Sequence, residues 1–211
     1  MALTDQSTRI REGEELDAAV IDQYLKAHIP GLAGEPRISQ FPGGASNLTY
    51  LLEYPNQEFV LRRPPFGHKA KSAHDMGREY RILNQLNAGF PYCPKAYVHC
   101  TDESVIGAEF YVMERVNGII LRSEMPAELN FSAEQTRELC KSFIDKMVEL
   151  HNVDYQACGL GDLGKPEGYV QRQIGGWSDR YDKALTPDAP LWEPVKAWLK
   201  DKMPADHHKP G

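Results

Sequence analysis

The chain has 211 residues, 41% hydrophobic and 26% charged, with a formal net charge of −6. That length holds one large domain or two lobes, and no apolar run approaches the roughly 20 residues of a membrane-spanning helix. The opening MALTDQSTRIREGEE has no hydrophobic centre for a secretory signal, so the cytoplasm is the default location and a membrane is not expected as a partner.

The first predicted element is a helix from the N-cap Asp17 through about His28. Leu16 and Ile21 are spaced as a hydrophobic staple, and Pro30-Gly31 supplies the stop. From Phe41 to Arg63 the chain reads FPGGASNLTYLLEYPNQEFVLRR. The turn Pro42-Gly43-Gly44-Ala45-Ser46-Asn47 offers unobstructed backbone N–H groups, a hydroxyl and a carboxamide, all able to meet phosphate oxygens. Leu48 to Glu53 and Gln57 to Arg63 are strand-like runs joined at Tyr54-Pro55-Asn56. On the second run Val60 and Arg62 share one face, and Phe59, Leu61 and Arg63 the other, so Arg62 can point into a cleft that Val60 helps to roof. The same residues also fit an ordinary hairpin with a glycine turn and two solvated arginines.

Met76 to Leu86 is a predicted helix in which Glu79, Ile82, Leu83 and Leu86 follow i, i+3, i+4, i+7. The spacing puts one carboxylate on the apolar face, where it needs a cation, and Arg62 is a suitable one. A glutamate at the edge of the stripe, meeting solvent or Arg78, is the alternative. Arg62, Arg63, His68, Lys69, Lys71, His74, Arg78 and Arg81 form a basic cluster in an acidic chain. Aromatic residues are sparse within it and no nucleic-acid motif accompanies it, so it reads as a phosphate-facing rim or a solvated face. Lys95 to Cys100 and Phe110 to Glu114 form a second hairpin and complete a five-stranded antiparallel sheet. The run FYVMERVNG is hinge-like: backbone groups around Glu114 and Val116 can read an adenine edge with Met113 packed behind it. An edge strand leaving its sheet would look similar.

Ser132 and Gln135 make a capping-box pattern, followed by Leu139, Phe143, Met147 and Leu150 on one face and Cys140, Ile144 and Val148 beside it. This predicts a buried helix of about five turns ending at His151, a dipole-compatible position, with Cys140 a small buried thiol. The four cysteines, Cys93, Cys100, Cys140 and Cys158, show no metal-ligand spacing, and no metal site is expected. Gly159 to Gly164 matches G-x-G-x-x-G by letter, but a helix ends before it and Lys165-Pro166 follows, so it reads as a loop. Tyr169 to Leu185 is a predicted helix carrying Trp177 and Tyr181 four apart and crossed by Gly175-Gly176, and Leu191, Val195, Trp198 and Leu199 form a further apolar stripe.

Taken in order, FPGGASN, FVLRR, GREYRIL and FYVMERVNG resemble the small lobe of the aminoglycoside phosphotransferase-like kinases, and in particular the phosphotransferase domain related to acyl-CoA dehydrogenase-family proteins. RRPP and the later QIGGW stretch share that likeness, which covers the chain from about Arg37 to its end. The resemblance implies an α+β, protein-kinase-like fold with one main helix on a five-stranded antiparallel sheet. Residues 1–35 would be a helical extension, 36–117 the nucleotide-binding lobe and 118–211 the first helices of an incomplete helical lobe. It further implies that Gly43, Gly44, Ala45, Ser46 and Asn47 cover the phosphates of ATP, that Arg62 holds the α/β-phosphates and pairs with Glu79, and that Glu114 and Val116 present backbone to adenine. Such kinases usually place lysine where this chain has Arg62. Trp177 and Tyr181 would stand on the acceptor side, or else simply pack.

The family's H-G-D-x-x-x-x-N loop and metal-binding aspartate do not occur between Met1 and Gly211, so no catalytic residue is assigned. The expectation is a nucleotide-binding piece of an ATP-dependent phosphotransferase, inactive alone. The complete protein would use Mg²⁺ and a small-molecule hydroxyl acceptor. The piece would expose the apolar face of the long helix as a dimerisation surface. A non-catalytic nucleotide-binding or protein-interaction module of the same fold is the alternative.

Overall fold

The computed structural model describes residues 4–42, 47–67, 74–122, 124–165 and 167–205. The chain forms two compact units, Met1–Val153 and Asp154–Gly211. The glycine turn at 43–46 and the basic residues His68, Lys69 and Lys71 lie outside the described residues.

In the first unit, helix α1 (Ala18–His28) precedes strands β1 (Arg37–Gln40), β2 (Leu48–Glu53) and β3 (Glu58–Arg63). Helix α2 (Met76–Leu86), strands β4 (Ala96–Cys100) and β5 (Phe110–Glu114), and helix α3 (Ala133–His151) follow. The strands form one antiparallel sheet in the order β1-β2-β3-β5-β4. The fold is therefore the expected α+β arrangement.

Local chemistry starts the helices. Asp17 Oδ1 accepts from the N–H groups of Ala19 and Val20 at 2.9 and 3.3 Å, which begins α1. Asp75 does the same for α2 through the Arg78 N–H at 2.8 Å. Ser132 and Gln135 close a full capping box on α3, at 3.2 and 2.9 Å.

Antiparallel pairing puts residues directly opposite one another on the same face. One face carries Leu52, Tyr50, Phe59, Leu61, Phe110 and Val112, which bury against Ile21 and Leu25 of α1. A bulge between Ala96 and Val98 leaves Tyr97 as an extra residue on β4, and its ring meets Phe59 edge-on at 5.2 Å. Chain entry to β1 depends on Gly34, whose φ is +84° and where a Cβ would sit 2.7 Å from the Pro55 ring of the β2–β3 turn.

Arg63 belongs to this apolar face and is 1% exposed, which corrects the expectation of a solvated or phosphate-facing cation. Its Nη1 donates to the Ile106 carbonyl at 3.1 Å and its Nε to the Pro64 carbonyl at 3.2 Å, while Phe66 lies 3.8 Å beneath the guanidinium. Burial lowers its pKa, opposed by Tyr50 and Glu14. An arginine begins so far above neutrality that it remains charged.

Helix α3 is not the buried helix its spacing alone predicts; its apolar face is exposed, as the resemblance to an incomplete helical lobe implies. It is amphipathic as predicted, but Phe143 is 68% exposed and none of its residues is buried. Cys140 is exposed as well. The spacing correctly marks an apolar face, but a pattern on one helix carries no information about what covers that face.

In the second unit, helix α4 (Tyr169–Lys183) and helix α5 (Glu193–Asp201) pack together. Helix α4 runs unbroken through Gly175 and Gly176. The segment matching G-x-G-x-x-G forms successive turns, with Leu160 N–H bonded to the Tyr155 carbonyl at 2.8 Å, and no helix starts within it.

Candidate active site

The other face of the sheet is built in two rungs. Ser39, Leu51, Val60, Met113 and Ala96 form one, and Thr49, Arg62, Tyr111 and His99 the next. Helix α2 packs across β4 and β5 on this side. Arg62, Glu79, Ile82, Leu83, Pro94, Tyr111 and Met113 line a cavity of about 350 Å³. Val60, Arg62, Glu79 and Met113 are thus brought to one face, as their spacing predicts.

Glu79 is the centre of this face. Its Oε2 accepts from the Tyr111 hydroxyl at 2.9 Å and lies 3.4 Å from Arg62 Nε. The Arg62 contact is an ion pair without hydrogen-bond alignment, since Nε makes no hydrogen bond. The other carboxylate oxygen, Oε1, accepts from Asn47 Nδ2 at 3.0 Å. Asn47 is 7% exposed, and its Oδ1 meets His74 Nδ1 at 2.8 Å. Its carboxamide, expected at the phosphates, is therefore engaged inward at both ends. Burial pushes the Tyr111 hydroxyl well above the ordinary phenol range, with Arg62 opposing and Glu79 reinforcing, so it stays protonated and donates.

The two hinge positions differ. Glu114 N–H donates to the Lys95 carbonyl at 2.8 Å, and its side chain returns to Lys95 N–H at 3.1 Å, tying the end of β5 to the start of β4. Val116 is 54% exposed in the extended segment beyond. The residue between them, Arg115, sets its guanidinium 5.0 Å from the Phe41 ring and donates to the Asp5 carbonyl at 3.1 Å. Asp5 Oδ2 also accepts from Arg122 at 2.7 Å, so the N-terminal segment clasps the connection after β5.

Sequence reasoning missed Tyr111, Asn47 and His74 as the groups around Glu79. The Tyr111 signal was present, because alternation within FYVME places it on the same face as Met113. Asn47 and His74 carried no such signal.

Trp177 and Tyr181 line a separate, largely apolar cavity of about 610 Å³ between α4 and α5, with Ile174, Trp192, Val195 and Leu199. Trp177 is 61% exposed, so it is not core packing. Tyr181 is tied down, its hydroxyl donating to the Pro190 carbonyl at 2.6 Å. Among the described residues no three His, Cys, Asp or Glu side chains gather as a metal site, and no helix is long and apolar enough to cross a membrane.

Comparison with known proteins supports the fold and gives the family. The model of the family described as "Phosphotransferase enzyme family" matches residues 37–211. The chain is 33% identical to acyl-CoA dehydrogenase family member 11 of Gallus gallus over 98% of its own length and 27% of that protein's. It is 30% identical to a probable acyl-CoA dehydrogenase, IBR3, of Arabidopsis thaliana over 96% of its length and 26% of that protein's. It thus spans about a quarter of each of these relatives. A crystal structure of a putative aminoglycoside phosphotransferase from Ralstonia eutropha superimposes with a TM-score of 0.74 at 34% identity, covering 90% of this chain and 55% of that one.

Proposed function

This chain belongs to the phosphotransferase enzyme family, and on that footing we propose that its sheet cleft holds ATP. The protein it forms part of would transfer the γ-phosphoryl group to a hydroxyl on a small molecule. The observation that carries the reading is the meeting of Arg62 and Glu79 on one sheet face. Arg62 keeps 31% of its side chain exposed while paired, so its guanidinium can take phosphate oxygens without leaving the carboxylate. Val60 and Met113, opposite each other in the next rung, supply apolar contact for a base, and the carbonyls and amides beyond β5 its polar edge. Among the described residues the lining is apolar at Ile82, Leu83, Pro94 and Met113 and polar at Arg62, Glu79 and Tyr111, a division that suits a nucleotide.

The roles of the residues follow from their placement. Arg62 would neutralise and orient the α/β-phosphates, and Glu79, held by Tyr111 and Asn47, would fix the direction of Arg62. The 43–46 turn would contribute backbone N–H groups. ATP supplies the phosphoryl group, and Mg²⁺ in the complete protein would bridge its phosphate oxygens. Residues 1–211 would bind nucleotide without turnover, since they contain no H-G-D-x-x-x-x-N loop.

Thermal unfolding with and without ATP and Mg²⁺ tests this. The wild type should gain about 2.7 kcal/mol of stability at a hundredfold excess of nucleotide over its Kd, and Arg62→Ala should lose at least about half of that gain. A chain shown to be folded by circular dichroism that gains nothing from ATP would refute the nucleotide site.

A further inference from the structure

We propose that Asn47 is a positioning residue that holds the Glu79 carboxylate of the Arg62–Glu79 pair through its buried carboxamide, with His74 fixing the orientation of that amide. This rests on the reading of the cleft as a nucleotide site. It assigns Asn47 a role other than phosphate contact.

The hydrogen-bond inventory leaves one arrangement. A carboxylate only accepts, so Glu79 Oε1, 3.0 Å from Asn47, must face the amide's NH₂ end. That turns Asn47 Oδ1 toward His74 Nδ1, 2.8 Å away, so the ring must carry a hydrogen on Nδ1 and donate it. Proton donors then run in one direction, from His74 to Asn47 to Glu79, and Tyr111 donates to Glu79 from the other side. Among the described residues, the charged and titratable groups facing this hydrogen-bonded series are Glu79 on α2, Arg62 on β3, Tyr111 on β5 and His74 ahead of α2.

Asn47 is the last residue of the turn motif and stands immediately before β2. It is 7% exposed, so its carboxamide meets Glu79 away from solvent. No smaller or apolar side chain could replace it, because the site needs a donor toward Glu79 and an acceptor toward His74 at once.

Asp at this position would set a second carboxylate against Glu79 and remove the donor that Glu79 Oε1 accepts from. Titration with ATP·Mg²⁺ at pH 8 should show Asn47→Asp binding about tenfold more weakly than wild type. Asn47→Asp should also approach the wild type as pH falls and the two carboxylates share a proton. Nitrogen chemical shifts of the His74 ring, read without nucleotide, should show the hydrogen on Nδ1.

Wild type that binds ATP while Asn47→Asp binds it equally well at pH 8, or a His74 ring bare at Nδ1, would overturn the positioning role alone. Wild type that binds no ATP would overturn the nucleotide reading together with it.

Discussion

Arg62 and Arg63 are consecutive on β3, and the two faces of the sheet use them in opposite ways. Arg63 points to the side covered by α1 and is held by two main-chain carbonyls and an aromatic ring. Arg62 points to the α2 side, beside a carboxylate and an open cavity. Carbonyls satisfy a guanidinium without neutralising it and fix it in place. A single carboxylate with open space beside it leaves donors for a second anion. The α1 side should therefore govern stability, and the α2 side ligand affinity.

The largest effect that would sharpen this contrast is expected from Phe59→Ala, on the α1 side. Removing a ring that is 0% exposed should cost about 4 kcal/mol, read from the urea midpoint, with nucleotide affinity of the folded protein unchanged. Arg63→Ala should cost about 2–3 kcal/mol by leaving buried carbonyls unpaired. If it weakened ATP binding as much as a change at Arg62 does, the division between faces would break. Tyr111→Phe, on the α2 side, should cost about 1 kcal/mol and weaken ATP binding about fivefold through Glu79.

The smallest effect concerns pH. The hydrogen bond from Gln40, reinforced by Arg11 against the effect of burial, holds the Glu14 carboxyl below its usual range. A folded value below the unfolded one contributes stability above the unfolded pKa and loses it as pH falls through the folded value. Glu14→Gln should therefore flatten the acid limb of the stability profile, measured by urea midpoints across that window, without changing nucleotide affinity.

Much of the fold was legible because its signals are local. Asp17, Ser132 and Gln135 are caps whose partners lie two or three residues away, and the β2–β3 hairpin is marked by Pro55-Asn56. The Arg62–Glu79 pair was legible because two periodicities, of strand and of helix, pointed a cation and an anion toward one another. What stayed hidden depends on distant partners. Arg63 is buried because the Ile106 carbonyl, 43 residues onward, comes to meet it. Asn47 and Tyr111 each stand 32 residues from Glu79, on opposite sides in sequence. The exposure of Phe143 was legible only through the family resemblance and not through periodicity, since amphipathic spacing defines a face and not its cover.

Whether the α2 face of the sheet is a nucleotide site centred on Arg62 is decided by equilibrium titration of wild type and Arg62→Ala with a fluorescent ATP analogue and Mg²⁺. Wild type should bind saturably and Arg62→Ala at least about tenfold more weakly, a loss of about 1.4 kcal/mol, with the unfolding midpoint little changed. Equal affinity for the two proteins, both folded, would contradict such a site.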